Sequence, residues 1–142
     1  MSQFQDAQLI LQFYELRRES RLREARSFVL GRFKAKNVAE LHELCPPGSE
    51  ENAFFRQVLT YWDMVSAIVK RDTLEKELFY ETNGEITAVW EKVKHLVPEL
   101  REEFGNPAFL ENLEEVATGR EGYLEAKAPG YLKSLRERLA GT

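Results

Sequence analysis

The longest regular pattern of apolar and polar positions lies between Ala53 and Lys70. Apolar residues recur there at spacings of three and four, which places them on one side of an α-helix. They form two adjacent rows, so the buried face is wide and this helix is predicted to be the centre of a helical bundle. The rows are Phe54, Val58, Tyr61, Val65 and Ile68, and Phe55, Leu59, Trp62 and Val69.

Three shorter helices are predicted before this central one. The first spans about Phe4–Arg18, and the second is predicted to begin at Ser20, whose hydroxyl can accept an unpaired backbone N–H. Asn37 and Glu40 have the spacing of a capping box, which predicts a short third helix. Ser49 follows a Pro-Pro-Gly break and is predicted to cap the central helix. One face of the first helix carries Ala7, Ile10, Leu11 and Tyr14.

Further helices are predicted after the central one. Asp72 has the capping pattern for a short helix. A longer apolar stripe runs from Glu85 to Phe104 but contains Pro98, which predicts a kink or break near Lys94–Val97. Asn106 is followed by a proline, the pattern of a helix cap and the first residue of the next helix.

The character of the chain changes after Thr118, where glycines and a Pro-Gly pair interrupt a polar stretch. We therefore divide the chain into a helical bundle domain, residues 1–118, and a C-terminal linker with an amphipathic helix, residues 119–142. The apolar row of this last helix is narrow, as in a helix-pairing seam. It could lie on its own domain, on a second copy or on a partner. The row includes Leu132, Leu135 and Leu139.

These patterns together predict an all-α fold, a single-domain helical bundle of five to seven helices with a loosely attached C-terminal helix. The chain has 142 residues, of which 43% are hydrophobic and 31% charged, a balance typical of a globular domain with a real core. Ala53–Lys70 and Glu85–Phe104 are predicted to be antiparallel core neighbours, because their apolar stripes match and a short helical connection joins them.

The sequence also indicates a compartment. It has no apolar run of the roughly 20 residues that a membrane-spanning helix needs. Its first residues, MSQFQDAQLI, lack the basic start of a signal peptide. The single cysteine, Cys45, cannot form an internal disulfide, which fits a reducing compartment. We therefore expect a cytoplasmic protein without a membrane span.

Arginines are concentrated between Arg17 and Arg26. Pairs such as Glu19 with Arg23, four residues apart, would make this stretch a solvated helix surface. The alternative is an RNA-binding or anion-binding patch, but no aromatic residues are interleaved at base-stacking spacing. The net charge of −4 also disfavours a broad nucleic-acid footprint.

Residues that could carry chemistry are few. His42 and His95 are the only histidines, and neither has a metal partner at standard spacing. Glu91 and His95 lie four residues apart, which we interpret as an exposed pair. Cys45 follows His42 by one turn, but a lone cysteine at a helix end is more typical of an inert thiol than of a nucleophile. We therefore assign no catalytic residue, no metal and no cofactor.

Large aromatic residues offer one candidate pocket. Tryptophan and tyrosine at helical spacing are more often core residues, because they bury a large area while keeping a polar tip satisfied. Carboxylates near the end of the central helix would need to meet in a cleft to support acid–base catalysis. The candidate pocket consists of Tyr61, Trp62, Asp63 and Trp90, and the further carboxylates are Asp72, Glu75 and Glu77.

Three packing features lie between Phe55 and Arg101. They are an aromatic-rich helix, a short helix entered through Lys70-Arg71-Asp72, and a helix carrying Trp90 and Pro98. This stretch, about a third of the chain, resembles a family of uncharacterised small helical domains in bacteria. The resemblance implies a helical fold and assigns no catalytic residue. Members of such families often carry an N-terminal membrane anchor, which we do not expect here.

Three functions stay open at this point. The favoured one is a non-enzymatic helical module that binds another protein or a second copy, with the C-terminal row as its surface. The alternative is a small-molecule sensor or an enzyme with a pocket near Tyr61, Trp62 and Trp90. Weak nucleic-acid binding through the Arg17–Arg26 stretch ranks third.

Overall fold

The computed structural model describes residues 2–71 and 74–141, and every regular element in that part of the chain is helical. The predicted all-α single domain is confirmed. The described residues form nine α-helices, more than the predicted five to seven, partly because one predicted helix is divided into α6 and α7. They are α1 (Gln3–Arg17), α2 (Ser20–Ser27), α3 (Val38–Leu44), α4 (Glu50–Lys70), α5 (Lys76–Thr82), α6 (Glu85–Val93), α7 (Val97–Phe104), α8 (Glu111–Lys127) and α9 (Tyr131–Gly141).

Helix α4 is the centre of the bundle, as its two apolar rows predicted. Trp62, Val58 and Val65 on it are fully buried. Its backbone packs most closely against α8 and α2. The predicted neighbour, the Glu85–Phe104 helix, contacts α4 through the hydrogen bond that the Trp62 indole N–H donates to Glu85 at 3.2 Å. Hydrophobic burial is non-directional, so the apolar stripe of α4 did not show that α8 and α2 lie closer to it than that helix does.

The predicted helix ends are partly confirmed. The side chains of Asn37 and Ser49 accept hydrogen bonds from backbone N–H groups in the first turns of α3 and α4. At α2 the prediction was wrong, because the Glu19 carboxylate accepts from Leu22 N at 2.9 Å and Ser20 is already helical. The predicted cap at Asp72 lies outside the described residues.

The predicted break before Pro98 is confirmed. A 3₁₀ turn, Lys94–Leu96, separates α6 from α7, and Pro98 lies in the first turn of α7. A proline is tolerated there because N–H groups in the first turn of a helix have no intrahelical partner. Gly105, with a φ of 63°, ends α7 in the left-handed conformation.

Helix α8 begins in a way that the sequence did not indicate. The predicted cap at Asn106 is wrong, because the helix starts only at Glu111. The Asn106 side-chain oxygen instead accepts a hydrogen bond from the backbone N–H of Ala108, in a local turn before the helix. The residue before it, Leu110, is left-handed and supplies no capping side chain. Asp63 of α4 takes that role, since its carboxylate accepts from Leu113 N at 2.9 Å. A long-range contact therefore caps α8.

Helix α8 also continues through the predicted domain boundary at residue 118. Gly119 and Gly122 are helical, so the predicted linker is wrong for this segment. At Gly119 the missing side chain has a packing reason, because a Cβ there would lie 2.5 Å from the Tyr80 hydroxyl oxygen. The glycine lets α8 approach that tyrosine closely instead of loosening the chain.

Helix α9 folds back onto the domain, against α8 and α6. Leu132, from the predicted interaction row, is only 3% exposed, and Leu135 and Leu139 are half-buried. Their row is thus largely occupied within the chain, so the C-terminal helix is docked and not loosely attached. This outcome is one of the three that the sequence left open.

Candidate functional site

The two most exposed large apolar side chains of the described residues lie on α1. Phe4 is 71% and Leu11 63% exposed, and Ala7 and Tyr14 are exposed on the same side. Their 3-4-3 spacing places them along one line of the helix. We call these four residues the α1 row. A helix surface of this kind, apolar but in contact with water, is typical of an interaction site.

The opposite side of α1 is fixed to the domain, which determines how the α1 row is presented. Phe13 and Asp6 are buried there. The Tyr61 hydroxyl donates to the Phe13 carbonyl at 2.6 Å, and the Arg26 guanidinium donates to the Arg17 carbonyl at 3.0 Å. The helix therefore has two apolar sides, only one of which its own domain covers.

The four residues of the predicted pocket lie in or beside the packed core. Trp62 is fully buried, and Tyr61 and Trp90 are buried. Burial raises the pKa of Tyr61 to about 12, so its phenol stays protonated and acts as the donor to Phe13. Asp63 caps α8. The structure thus gives Tyr61, Trp62 and Asp63 packing and capping roles, and ligand binding at this set stays a prediction.

Two of the five arginines in the arginine-rich stretch, Arg17 and Arg26, are tied into the fold, and the other three are exposed. Arg26 makes a bidentate pair with Glu85, with guanidinium–carboxylate distances of 2.7–3.0 Å, and the Trp62 indole N–H donates to the same carboxylate at 3.2 Å. The Arg17 guanidinium lies 5.3 Å from the Trp62 ring centre. Glu19 caps α2 in place of the predicted pairing with Arg23. Nucleic-acid binding by this stretch stays a prediction.

Cys45 and His42 line a mainly apolar cavity of about 510 Å³ between α3, α4 and α7. Burial, with a smaller contribution from Glu51, raises the pKa of the Cys45 thiol to about 11. The thiol is therefore protonated near neutral pH, which opposes nucleophilic chemistry. His42 Nε2 lies 2.7 Å from a carboxylate oxygen of Glu103 and does not serve the cysteine as a base in this arrangement.

The predicted exposed pair of Glu91 with His95 is wrong. The Glu91 side chain is only 4% exposed and accepts from Arg136 at 2.9 and 3.2 Å and from Lys94 at 3.0 Å. His95 Nε2 instead donates to the Ala35 carbonyl at 2.8 Å. The helix changes to a 3₁₀ turn at Lys94, so the i,i+4 geometry on which the prediction relied does not hold.

A second carboxylate, Glu121 of α8, meets Glu91 beneath α9. Burial and the hydrogen bond with Glu91 raise the pKa of Glu121 to about 7. Burial also acts to raise the pKa of Glu91, but hydrogen bonds with Arg136, Glu121 and Lys94 outweigh it and lower that pKa. Two close carboxylates with separated pKa values are expected to share one proton, so we expect the stability of the fold around this pair to depend on pH.

We expect the Glu121→Gln variant to lose a pH dependence that the natural protein has. The folded protein holds a proton on Glu121 that the unfolded chain releases above its ordinary pKa of 4.5. Stability should therefore fall as the pH rises from about 4.5 to about 7, by about 1–3 kcal/mol. Glutamine keeps the neutral form, so the variant should be the more stable protein at pH 8.

Thermal unfolding between pH 5 and pH 8 checks this expectation. Glu115→Gln, an exposed glutamate on the same helix, is the matched control. It should leave the slope of melting temperature against pH unchanged. Equal slopes for the natural protein and Glu121→Gln would show that Glu121 is ionised throughout this range.

Two classes of site find no support in the described part of the chain. No group of three or more histidine, cysteine, aspartate or glutamate side chains there is placed to hold a metal ion. None of the helices described combines the length and the apolar character that crossing a bilayer requires.

Comparison with known proteins gives a family and no activity. No curated protein and no solved structure matches the chain. Residues 2–120 match a family described as a domain of unknown function, DUF4760. The match includes the α1 row and all of α4, and it ends within α8, before Glu121 and α9. Because the match covers most of the chain, the protein belongs to the DUF4760 family.

Proposed function

We propose that this protein is a non-enzymatic self-association module and that the α1 row is its interface. The observation that carries the proposal is the exposure of Phe4 and Leu11 on a helix whose other side is firmly held. A helix with a second apolar side gains free energy when another helix covers that side. The C-terminal row favoured from the sequence is already engaged with its own domain.

The sequence of the α1 row favours a second copy of the chain as the occupant. In an antiparallel pair centred near Leu11, each Ala7 lies opposite Tyr14 of the other copy, so a small residue faces a large one. The same register brings Arg18 towards Phe4 of the other copy, where a cation–π contact can form. A two-fold interface needs this kind of self-complementary patch, because the same surface is used twice.

The polar surroundings of the α1 row are compatible with such a pair. Gln8 and Gln12 lie beside it and carry no charge, and Glu15 already pairs with Arg18 at 3.5 Å. Two copies can therefore approach without opposing like charges along most of the helix. The contact involves one helix of 15 residues from each copy, so we expect a weak dimer that depends on concentration.

The test is a concentration series in sedimentation equilibrium. The natural protein should form a reversible dimer, and Leu11→Glu should raise the dissociation constant at least about tenfold, since a buried leucine contributes about 1.5–3 kcal/mol. Gln12→Glu adds the same charge on the neighbouring polar side and should leave the dimer largely intact. Circular dichroism should show that both variants keep the helical fold.

Two results would contradict the proposal. One is a natural protein that stays monomeric at all concentrations measured. The other is an equal effect of Leu11→Glu and Gln12→Glu, which would show that added charge and not the α1 row controls association.

A further inference from the structure

A second cavity, of about 430 Å³, lies under α9 and is rich in cationic side chains. The loop between α2 and α3 contributes Lys34 and Lys36, and α6 contributes Lys92. His95 lies at its edge and donates to the loop carbonyl of Ala35, which holds the loop against the 3₁₀ turn. The volume is in the range of small-molecule sites.

Lys92 is the unusual member of this lining. It is only 8% exposed. Within residues 2–71 and 74–141 no carboxylate lies within ion-pair distance of its ammonium group. Glu91, its neighbour in sequence and in the cavity wall, is already bound to Arg136 and Lys94. Buried charges in proteins are normally paired, so an unpaired lysine that lines a cavity points to an anion as its partner.

The electrostatic surroundings strengthen this argument. Burial, and after it the nearby positive charge of Lys34, lower the pKa of Lys92. The fold thus holds two ammonium groups of like sign close enough to repel, with a third lysine, Lys36, in the same wall. An anion between them would remove the repulsion and offset the desolvation of Lys92.

We propose that this cavity binds a small phosphate monoester, with Lys92 as its main charge partner and Lys34 and Lys36 as supporting cations. Ammonium groups act as point charges towards phosphoryl oxygens. A cluster of several ammonium groups therefore suits a doubly charged phosphate better than it suits a singly charged carboxylate. Leu139 and Ala140 of α9 supply an apolar wall for the organic part of the ester. The site is independent of the α1 row, so either proposal can fail alone.

The experiment measures thermal stabilisation and binding heat with phenyl phosphate, inorganic phosphate and the uncharged benzyl alcohol as probes. Phenyl phosphate should stabilise the natural protein most, inorganic phosphate less and benzyl alcohol least, because stabilisation follows affinity for the folded state. Lys92→Met should weaken phenyl phosphate binding at least about tenfold. Without any probe the same variant should melt at a higher temperature than the natural protein, because the desolvation of the Lys92 ammonium and its repulsion from Lys34 have been removed.

The rise in melting temperature separates a binding lysine from a structural one, since loss of a structural lysine would lower it. Lys133→Met, an exposed lysine of α9 outside the cavity wall, is the control and should change neither quantity. The proposal is overturned if sodium chloride at equal ionic strength gives the same stabilisation as phenyl phosphate. It is also overturned if Lys92→Met binds phenyl phosphate as well as Lys133→Met does.

Discussion

The Trp62→Ala variant is expected to unfold with a free energy about 3–5 kcal/mol below that of the natural protein. Trp62 is fully buried at the centre of α4, so its removal leaves a large cavity in the best-packed part of the bundle. The variant also loses the indole donor to Glu85 and the ring beside the Arg17 guanidinium. Three elements, α1, α4 and α6, lose a shared contact at once.

Urea unfolding followed by circular dichroism measures this loss without relying on tryptophan fluorescence. Trp62→Phe is the matched control, because it keeps an aromatic ring and removes only the N–H donor and part of the volume. Glu85 would still be paired with Arg26, so we expect this control to lose about 1–2 kcal/mol. A loss below about 1 kcal/mol for Trp62→Ala would contradict the central position assigned to this residue.

Truncation after Thr118 is expected to lower the melting temperature sharply. The cut removes Arg120, a buried side chain that donates to the Tyr80 carbonyl at 2.9 Å and to the Thr87 hydroxyl at 2.8 Å. It also removes Tyr123, whose ring packs on the ring of Tyr80 with 5.3 Å between the ring centres. Loss of such a buried polar network costs on the order of 3–5 kcal/mol, since its remaining members are left unpaired.

Truncation after Pro129 serves as the comparison, because it removes α9 and leaves α8 whole. The expected loss is smaller, about 1.5–3 kcal/mol for the burial of Leu132. Differential scanning calorimetry of both truncated proteins would separate the two contributions. An unchanged melting temperature after the cut at Thr118 would restore the interpretation of the C-terminal segment as a separate arm.

Much of the fold could be predicted from short-range pattern. The wide apolar face of α4, the caps at Asn37 and Ser49 and the break before Pro98 all follow from interactions between residues within a few positions of each other. Such interactions act in the same way wherever the segment lies in the molecule. The sequence therefore identified these helices and most of their ends, and it suggested the family.

The candidate sites could not be predicted in the same way. The sequence placed Leu11 on an apolar face of α1, but burial of Phe13 on another side decides which face the domain covers. The apolar residues on both sides of α1 were the available signal. No sequence pattern marked Lys92 as a site residue, because nothing in its local sequence shows that a lysine of an amphipathic helix will be buried without a carboxylate partner.

The roles of Asp63, Glu91 and Gly119 were likewise misread or missed. Asp63 caps a helix some 50 positions away, Glu91 meets Glu121 and Arg136 from two later helices, and Gly119 makes room for Tyr80. Each role depends on which helices pack together. Hydrophobic burial, which drives that packing, depends on the area removed from water and not on the identity of the partner. The helical pattern therefore settled what each segment is, whereas the charges, caps and exposed rows acquired their roles only once α8 and α9 had packed on α4 and α6.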